Sequence, residues 1–336
     1  MLYDEYSVLH RLGCVLKEST VLQGYGGGRY HIEQGIWKSR AASQETQQTR
    51  DAFSFKWNQQ ETFNSQASLL RMRLWLNERY GDVLPYIEGC ARAGDTPLLG
   101  DIGCGAAMSA LELFGPYLNK LIYVGVDFSN AVNVARSRFL ERAREGLFFQ
   151  EDLFSLPFAP NSFDLLFSEG VLHHTPSTRE ALGATVPLLR RGGYYFFYVY
   201  NKKSPIREFT DDYIRTLIED MSPAEAWECL KPLTRLGIEL GQKDIELDIP
   251  EAVPLLGIPA GKISLQRFIY WHILKAFYDA TLSLEEMNHI NFDWYSPKYA
   301  LRQTPEEVRS WCSDLGLRIE RMVIEPAGIT VIAQKQ

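Results

Sequence analysis

The spacing of apolar residues changes character along this chain. Over residues 61–87, Leu69, Leu70, Met72, Leu74 and Leu76 predict a helix with a broad apolar face, ended by Gly81 or Pro85. From residue 97 short apolar runs alternate with helical stretches. Pro97–Ile102, Leu121–Val126, Leu147–Gln150, Phe163–Ser168 and Tyr194–Tyr200 are the predicted strands, with helices near 106–115, 129–144 and 177–190. Strands and helices in this order form βαβ units, hence a parallel sheet with helices on both faces. The uninterrupted apolar runs Leu165-Leu166-Phe167 and Tyr194–Tyr200 suit strands buried on both sides. Residues 201–296 interrupt the alternation with helix formers and aromatics, and predict a helical insertion. The pattern then returns. Thr304, Pro305 and Glu307 predict a capped helix that runs to Leu315 and stops at Gly316. Leu317–Ile324 and Ile329–Ala333 predict a closing strand pair around Pro326-Ala327-Gly328. Residues 1–50 show the least legible pattern. Gly24-Tyr25-Gly26-Gly27-Gly28 reads as a flexible turn, since no strand is predicted to lead into it and no GK[ST] follows.

Composition narrows the classes. The 336 residues suffice for one large domain with insertions or for two domains, and 46% hydrophobic content allows a sizeable core. A net charge of −7 without a basic run argues against nucleic acid as a partner. Tyr194–Tyr200 is the longest apolar run and is too short to span a bilayer. The opening MLYDEYSVLH lacks the apolar stretch of a signal peptide, so a cytoplasmic location is expected. Cys14, Cys90, Cys104, Cys229 and Cys312 are scattered without a CxxC pair, which predicts free thiols and no metal site.

The most informative stretch is Leu98–Ile102 running into Gly103-Cys104-Gly105-Ala106-Ala107 and a helix. Glycines at such a turn let backbone approach a ligand, and the helix start offers unpaired N–H groups. The next strand ends at Val126-Asp127-Phe128, where a carboxylate can accept from ribose hydroxyls. A nicotinamide dinucleotide is disfavoured, because Met108 stands at the third position of GxGxxG. Asp101 at the strand end would repel a pyrophosphate but attract an ammonium; otherwise it caps the next helix.

Taken together, Asp101-Ile102-Gly103-Cys104-Gly105 and Val126-Asp127 resemble the first two motifs of the class I S-adenosylmethionine (SAM)-dependent methyltransferases. Glu151-Asp152-Leu153 with Leu156-Pro157-Phe158 resembles the family's adenine-contacting motif. Phe163-Asp164 to Ser168, followed by Gly170-Val171-Leu172-His173-His174, resembles its fourth-strand motif, and Leu188-Leu189-Arg190-Arg191-Gly192-Gly193 its turn into strand five. Ala106-Ala107 departs from the pattern, which often has another glycine here. The resemblance covers about 97–200, and more weakly 298–334. It implies a Rossmann-like α/β fold with a seven-stranded, mostly parallel sheet, its last strand antiparallel. It implies SAM as cofactor and S-adenosylhomocysteine as product. Gly103 and Gly105 would line the methionine part, Asp127 would hold the ribose, and Asp152 would accept from the adenine amino group with Leu153 beside the ring; Asp101, Cys104, Phe128 and Ser168 complete the expected cofactor-binding set.

Ligands in such sheets lie beyond the carboxyl ends of the strands. Ser168, Glu169, His173 and His174 follow strand four there. Either histidine suits a general base at neutral pH, or packs structurally. Glu169 is a candidate for acceptor or ammonium binding. The segment 53–63, with Trp57, resembles an N-terminal lid over the cofactor, or is ordinary amphipathic packing. In the insertion, Tyr270, Trp271, Asn291, Trp294 and Tyr295 are candidate substrate contacts. The expected organisation is an N-terminal extension and lid (1–90), a SAM-binding core (91–200), a helical cap (201–296) and a completing helix and strand pair (297–336). The expected activity is methyl transfer to a small molecule, its acceptor atom (O, N, S or C) left open. A homodimer is compatible with this. The alternatives are a non-catalytic assembly subunit of the same fold and an NAD-dependent oxidoreductase.

Overall fold

The computed structural model describes residues 4–39, 47–91 and 95–336; residues 1–3 of the opening segment lie outside it. Asp4 caps α1 (Glu5–Arg11), its side chain accepting from the Ser7 N–H. Four short strands follow: β1 (Val15–Glu18), β2 (Val21–Gln23), β3 (Arg29–Glu33) and β4 (Ile36–Ser39). Three helices come next, α2 (Gln47–Asn58), α3 (Gln66–Tyr80) and α4 (Leu84–Cys90). The single helix expected over 61–87 is therefore divided. Gly81 adopts φ +68°, a left-handed geometry that ends α3 before Pro85 opens the next helix.

The alternating region is β5 (Leu98–Ile102), α5 (Met108–Leu113), β6 (Ile122–Asp127), α6 (Ala131–Glu141), β7 (Leu147–Gln150), β8 (Phe163–Glu169), α7 (Thr178–Thr185) and β9 (Leu189–Tyr200). The insertion holds α8 (Pro205–Ile218), α9 (Pro223–Gln242), a hairpin of β10 (Glu246–Ile249) and β11 (Gly261–Ser264), α10 (Leu265–His272) and α11 (Leu284–Tyr295). The expected helical segment thus also carries a small antiparallel pair. The chain closes with α12 (Pro305–Asp314), β12 (Leu317–Ile324) and β13 (Gly328–Lys335). Thr304 and Glu307 form the capping box expected for α12.

Strands β5 to β9 pair in parallel in the order β7-β6-β5-β8-β9, and β13 joins β9 antiparallel with β12 outside it. These are the seven expected strands, but the sheet is larger. It has eleven strands, because β1 to β4 extend it beyond β7 through the parallel pairs Trp37↔Phe149 and Lys38↔Gln150. The glycine stretch at 24–28 is the turn between β2 and β3, so a strand does lead into it. These strands escape the sequence pattern because they are only three to five residues long and β1 is almost wholly exposed.

Apolar clusters fill both faces of the sheet. Val124, Phe163, Leu166 and Phe197 lie on one side, and Leu99, Phe114, Phe167 and Phe196 on the other. A third cluster joins the sheet to the insertion through Tyr198, Tyr200, Trp227, Phe292 and Trp294. Among the described residues no helix is long and apolar enough to cross a membrane.

At the amino edge of the sheet, opposite the carboxyl ends, Asp164 gathers three elements. It is 1% exposed, its Oδ2 accepts from the Leu98 N–H at 2.8 Å and from Arg11, and its Oδ1 accepts from Arg190 Nε at 2.5 Å. Removing a buried carboxylate leaves its partners uncompensated. Asp164→Ala should cost about 3–5 kcal/mol, read as a lower denaturation midpoint at unchanged m-value.

Candidate cofactor and acceptor site

The turn after β5 is shaped by left-handed backbone. Gly103 has φ +78°, Gly105 +52° and Ala107 +55°. Ala107 occupies the place where another glycine was expected, and accepts a conformation that disfavours side chains by roughly 1–2 kcal/mol. The turn is strapped to the end of β6. The N–H groups of Gly103 and Cys104 both donate to the Val126 carbonyl, at 2.8 and 2.9 Å. The Gly105 N–H donates to Asp127 Oδ2 at 2.8 Å, and the N–H and hydroxyl of Ser129 donate to Asp127 Oδ1 at 2.8 and 2.5 Å. Three donors leave one of the roughly four carboxylate acceptor sites open. Both glycines are also required by close neighbours. A Cβ on Gly103 would meet Val171 at 2.3 Å, and one on Gly105 would meet the Trp57 ring at 3.0 Å. Trp57 of α2 therefore lies over the turn.

A cavity of about 930 Å³ opens there. Asp101, Gly103, Cys104, Gly105, Asp127, Phe128, Asp152 and Leu153 all line it. Burial pushes the Asp101 carboxyl up to about 7, against a 2.6 Å hydrogen bond from the Tyr123 hydroxyl and with the charges of Asp127 and Glu169 adding to the rise. Asp152 turns one oxygen back to the Phe154 N–H at 3.0 Å, and Glu151 accepts from the Asp152 N–H at 2.8 Å. The Leu153 N–H meets no acceptor among the described residues. Ser168 does not reach the cavity. It is fully buried and donates to the Ile102 carbonyl at 2.9 Å, tying β8 to β5.

The two histidines part company. His173 is fully buried and absent from the cavity wall, its ring centroid 3.7 Å from that of Tyr200 and both nitrogens unpartnered. Its burial pushes its pKa well below the ordinary value, so it packs as a neutral ring. His174 lines the cavity, with Nδ1 2.7 Å from the Tyr299 carbonyl. A carbonyl only accepts, so Nδ1 carries the proton and Nε2 keeps its lone pair. Burial lowers its pKa to about 4, with the charge of Asp293 opposing the shift. Glu169 also lines the cavity, but it accepts from Arg79 Nη1 at 2.9 Å and from the Tyr80 hydroxyl. A carboxylate so held is a fixed wall rather than a free base.

The opposite wall comes from α2, α3, α10 and α11. Trp57, Tyr270 and Trp271 line it; Asn291, Trp294 and Tyr295 do not. Asn291 Nδ2 donates to Thr234 on α9, while the Trp294 indole and the Tyr295 hydroxyl both donate to Asp211 at 2.8 Å. The cavity instead receives Glu286, His289, Ile290 and Asp293. These recur at i, i+3, i+4 and i+7, one face of α11. That periodicity was the available signal. Reading 291–295 as a linear aromatic segment concealed it, since neighbours in sequence point to different sides of a helix. Glu286 accepts from Ser283 N–H at 2.7 Å in the capping box and from Ser68 Oγ at 2.9 Å, fixing α11 to α3. Asp293 is ion-paired with Lys56 of α2. Burial would raise its pKa, but Lys56, His174 and Lys275 together hold it well below the usual carboxylate range. His289 Nδ1 lies 2.7 Å from Thr62 Oγ1, and burial lowers its pKa to about 3.

Residues 100–197 match the family described as "Methyltransferase domain". SAM is the cofactor that this similarity supports. A curated relative, the uncharacterized methyltransferase YcgJ of Bacillus subtilis (strain 168), is 32% identical over 130 residues, which are 38% of this chain and 49% of the relative. The chain thus spans about half the length of that relative. Among solved structures, magnesium protoporphyrin IX methyltransferase from Synechocystis PCC 6803 with bound SAM has a TM-score of 0.45 at 14% identity, over 89% of this chain and 100% of that one. A SAM-dependent methyltransferase from Methanosarcina mazei has a TM-score of 0.41 at 16% identity, over 76% and 98%.

The residues present fit the cofactor. The glycine turn is a cradle that a Cβ would fill, an acceptor site remains on Asp127, and the Leu153 N–H awaits a partner. The two glycines should respond differently to alanine. Gly103→Ala meets the branched Val171 and should cost several kcal/mol, well beyond the ~1–2 kcal/mol of left-handed strain alone. Gly105→Ala meets an aromatic ring that can shift, and should cost close to the strain alone. Urea denaturation of both variants measures the difference, and equal losses contradict the geometry.

Proposed function

We propose that the chain binds SAM over the glycine turn and transfers its methyl group to a small molecule held in the remainder of the same cavity. The observation that carries this reading is continuity: one cavity is lined both by Gly103, Gly105 and Asp127 and by the Glu286–His289–Asp293 face of α11. Its volume, about 930 Å³, lies at the upper end of the range for small-ligand pockets. When bound, the sulfonium supplies an electrophilic methyl group. The chain's own residues then do the holding and the proton handling.

Asp127 accepts from ribose hydroxyls through its open acceptor site. Asp152 would accept from the adenine amino group and the Leu153 N–H would donate to the ring, with Leu153 beside it. Asp101, poised near neutrality, ionises toward the cofactor's ammonium. His174 Nε2 takes the proton from an acceptor whose reacting atom carries one. Asp293, held ionised, favours the imidazolium that forms. The α2 segment acts as a lid through Trp57, and residues 201–296 act as a cap that selects the acceptor through α10 and α11. Positioning both reactants in one water-poor space supplies much of the rate.

Two measurements test this. Asp127→Ala should weaken S-adenosylhomocysteine binding by about 1.5–3 kcal/mol per lost charge-assisted bond, read by calorimetry on a variant shown to be folded. Unchanged affinity defeats the assignment. His174→Ala should reduce methyl transfer by roughly 10²–10⁴-fold with cofactor affinity retained. Because the base is the neutral ring and its pKa is lowered to about 4, activity at saturating cofactor, where Asp101 is already engaged, should be flat from pH 5 to 7 and fall only as pH drops through about 4. A midpoint near 6.5 that His174→Ala leaves in place would exclude this histidine.

A further inference from the structure

The acceptor half of the cavity holds two cations whose charged atoms have no hydrogen-bonded partner among the described residues. Lys275 is 7% exposed and lines the cavity, yet its Nζ makes no hydrogen bond or ion pair among the described residues; it lies 5.0 Å from the centroid of the Trp294 ring, and Asp293 is the carboxylate that acts on it most strongly. Its backbone is fixed, since its N–H donates to Asp211 Oδ1 at 3.1 Å and to the Tyr295 hydroxyl at 2.9 Å. Arg71 of α3 lines the same cavity. Its Nε lies 3.8 Å from Asp279 Oδ2, an ion pair without a hydrogen bond, and its guanidinium rests over the Phe277 ring at 4.9 Å. Asp279 spends its other oxygen on the N–H and hydroxyl of Thr281, at 2.9 and 2.7 Å.

Most other charges of this wall have close partners. Lys56 is paired with Asp293, Arg79 with Glu169 and Glu325, and Glu286 with three donors. Asp211 accepts from Arg207, Trp294, Tyr295 and the Lys275 N–H, so it is spent on holding the insertion together. Burial lowers the Lys275 pKa to about 7, against the charges of Asp293 and Asp211 and with Arg207 and Arg71 adding to the fall. A protein that buries a flexible ammonium without a partner has placed it at a desolvation cost that an incoming anion relieves. Beside the two cations stand Tyr270, Trp271 and Ile290, which offer apolar and aromatic surface.

We propose that the acceptor is an amphipathic acid: an apolar, ring-sized body packed on Tyr270, Trp271 and Ile290, with a carboxylate bound between Lys275 Nζ and the Arg71 guanidinium. This rests on the methyltransferase reading above and names its substrate class. A monoanion suits the site better than a phosphate dianion, because the carboxylates of Asp279 and Asp293 also face this space. The arginine recognises the carboxylate's two oxygens, and the lysine supplies a point charge that desolvation strengthens.

The test is direct binding, not turnover. A panel of alkyl and aryl carboxylates, each beside its neutral carboxamide and with aryl phosphates as a second arm, is titrated against the full chain while cavity tryptophan fluorescence is followed. The expected result is at least a tenfold preference for one or more carboxylates over the matching amide. Lys275→Met, which keeps the length and removes the charge, should abolish the preference, and Arg71→Met should reduce it. S-adenosylhomocysteine affinity should stay close to that of the parent chain in both variants, and the melting temperature of Lys275→Met should not fall below it. Equal binding of acid and amide, a preference that survives Lys275→Met, stronger binding of the phosphates, or no binding by any acid overturns the proposal. Failure of S-adenosylhomocysteine to bind the parent chain overturns the methyltransferase reading instead, and the two failures are read in separate titrations.

Discussion

The closure of the β5–α5 turn onto the end of β6 is the constraint on which the site depends. Two consecutive N–H groups share the Val126 carbonyl, and a third reaches Asp127. That arrangement requires positive φ at Gly103, Gly105 and Ala107, and it brings the turn against Val171 on one side and Trp57 on the other. Every group placed around the cavity is located relative to this knot. If it opened, the carboxylate of Asp127 would lose its orientation and α2 would lose its floor.

The second organising influence is charge held out of water. The cavity carries more acidic than basic side chains, and the fold answers most of them individually. Tyr123 meets Asp101, Arg79 and Tyr80 meet Glu169, Lys56 meets Asp293, and a trio of seryl groups meets Glu286. Several of these bonds join segments far apart in sequence. The Lys56–Asp293 pair fastens α2 to α11, and Glu286 fastens α11 to α3. The electrostatics that shape the site are thus the same contacts that hold its walls together. A buried pair costs desolvation and is strongly felt when one partner is removed. Sequence changes at these positions should therefore move binding and stability together, whereas changes at Lys275 should not.

The amphipathic insertion follows the same logic on a larger scale. Its internal order comes from polar contacts such as Thr234 with Asn288 and Asn291, and from Asp211, which accepts from four groups. With those contacts satisfied inward, the face of α11 bearing His289 and Asp293 is left for the cavity. Asn291, Trp294 and Tyr295 are structural for that reason, although their composition matched a binding segment.

The sequence by itself determined the parallel strands, the glycine turn, the acid at the end of β6 and the capped α12, because each of these is a local pattern. Apolar runs, a turn needing positive φ and an N-cap with its partner three residues on are all decided by near neighbours in the chain. The antiparallel β13 followed the resemblance to a family. Only the tertiary structure decided that four short strands enlarge the sheet to eleven, that His174 rather than His173 faces the cavity, and that Lys56, Arg71, Lys275, His289 and Asp293 share its wall. The docking of β1 to β4 onto the sheet is settled by a partner more than a hundred residues away, as Trp37 of β4 is by Phe149 of β7. The direction of a histidine ring is settled by whichever carbonyl it meets, here that of Tyr299. Such choices depend on long-range contacts: helical spacing puts His289 and Asp293 on one face of α11, but what that face meets is decided elsewhere in the chain.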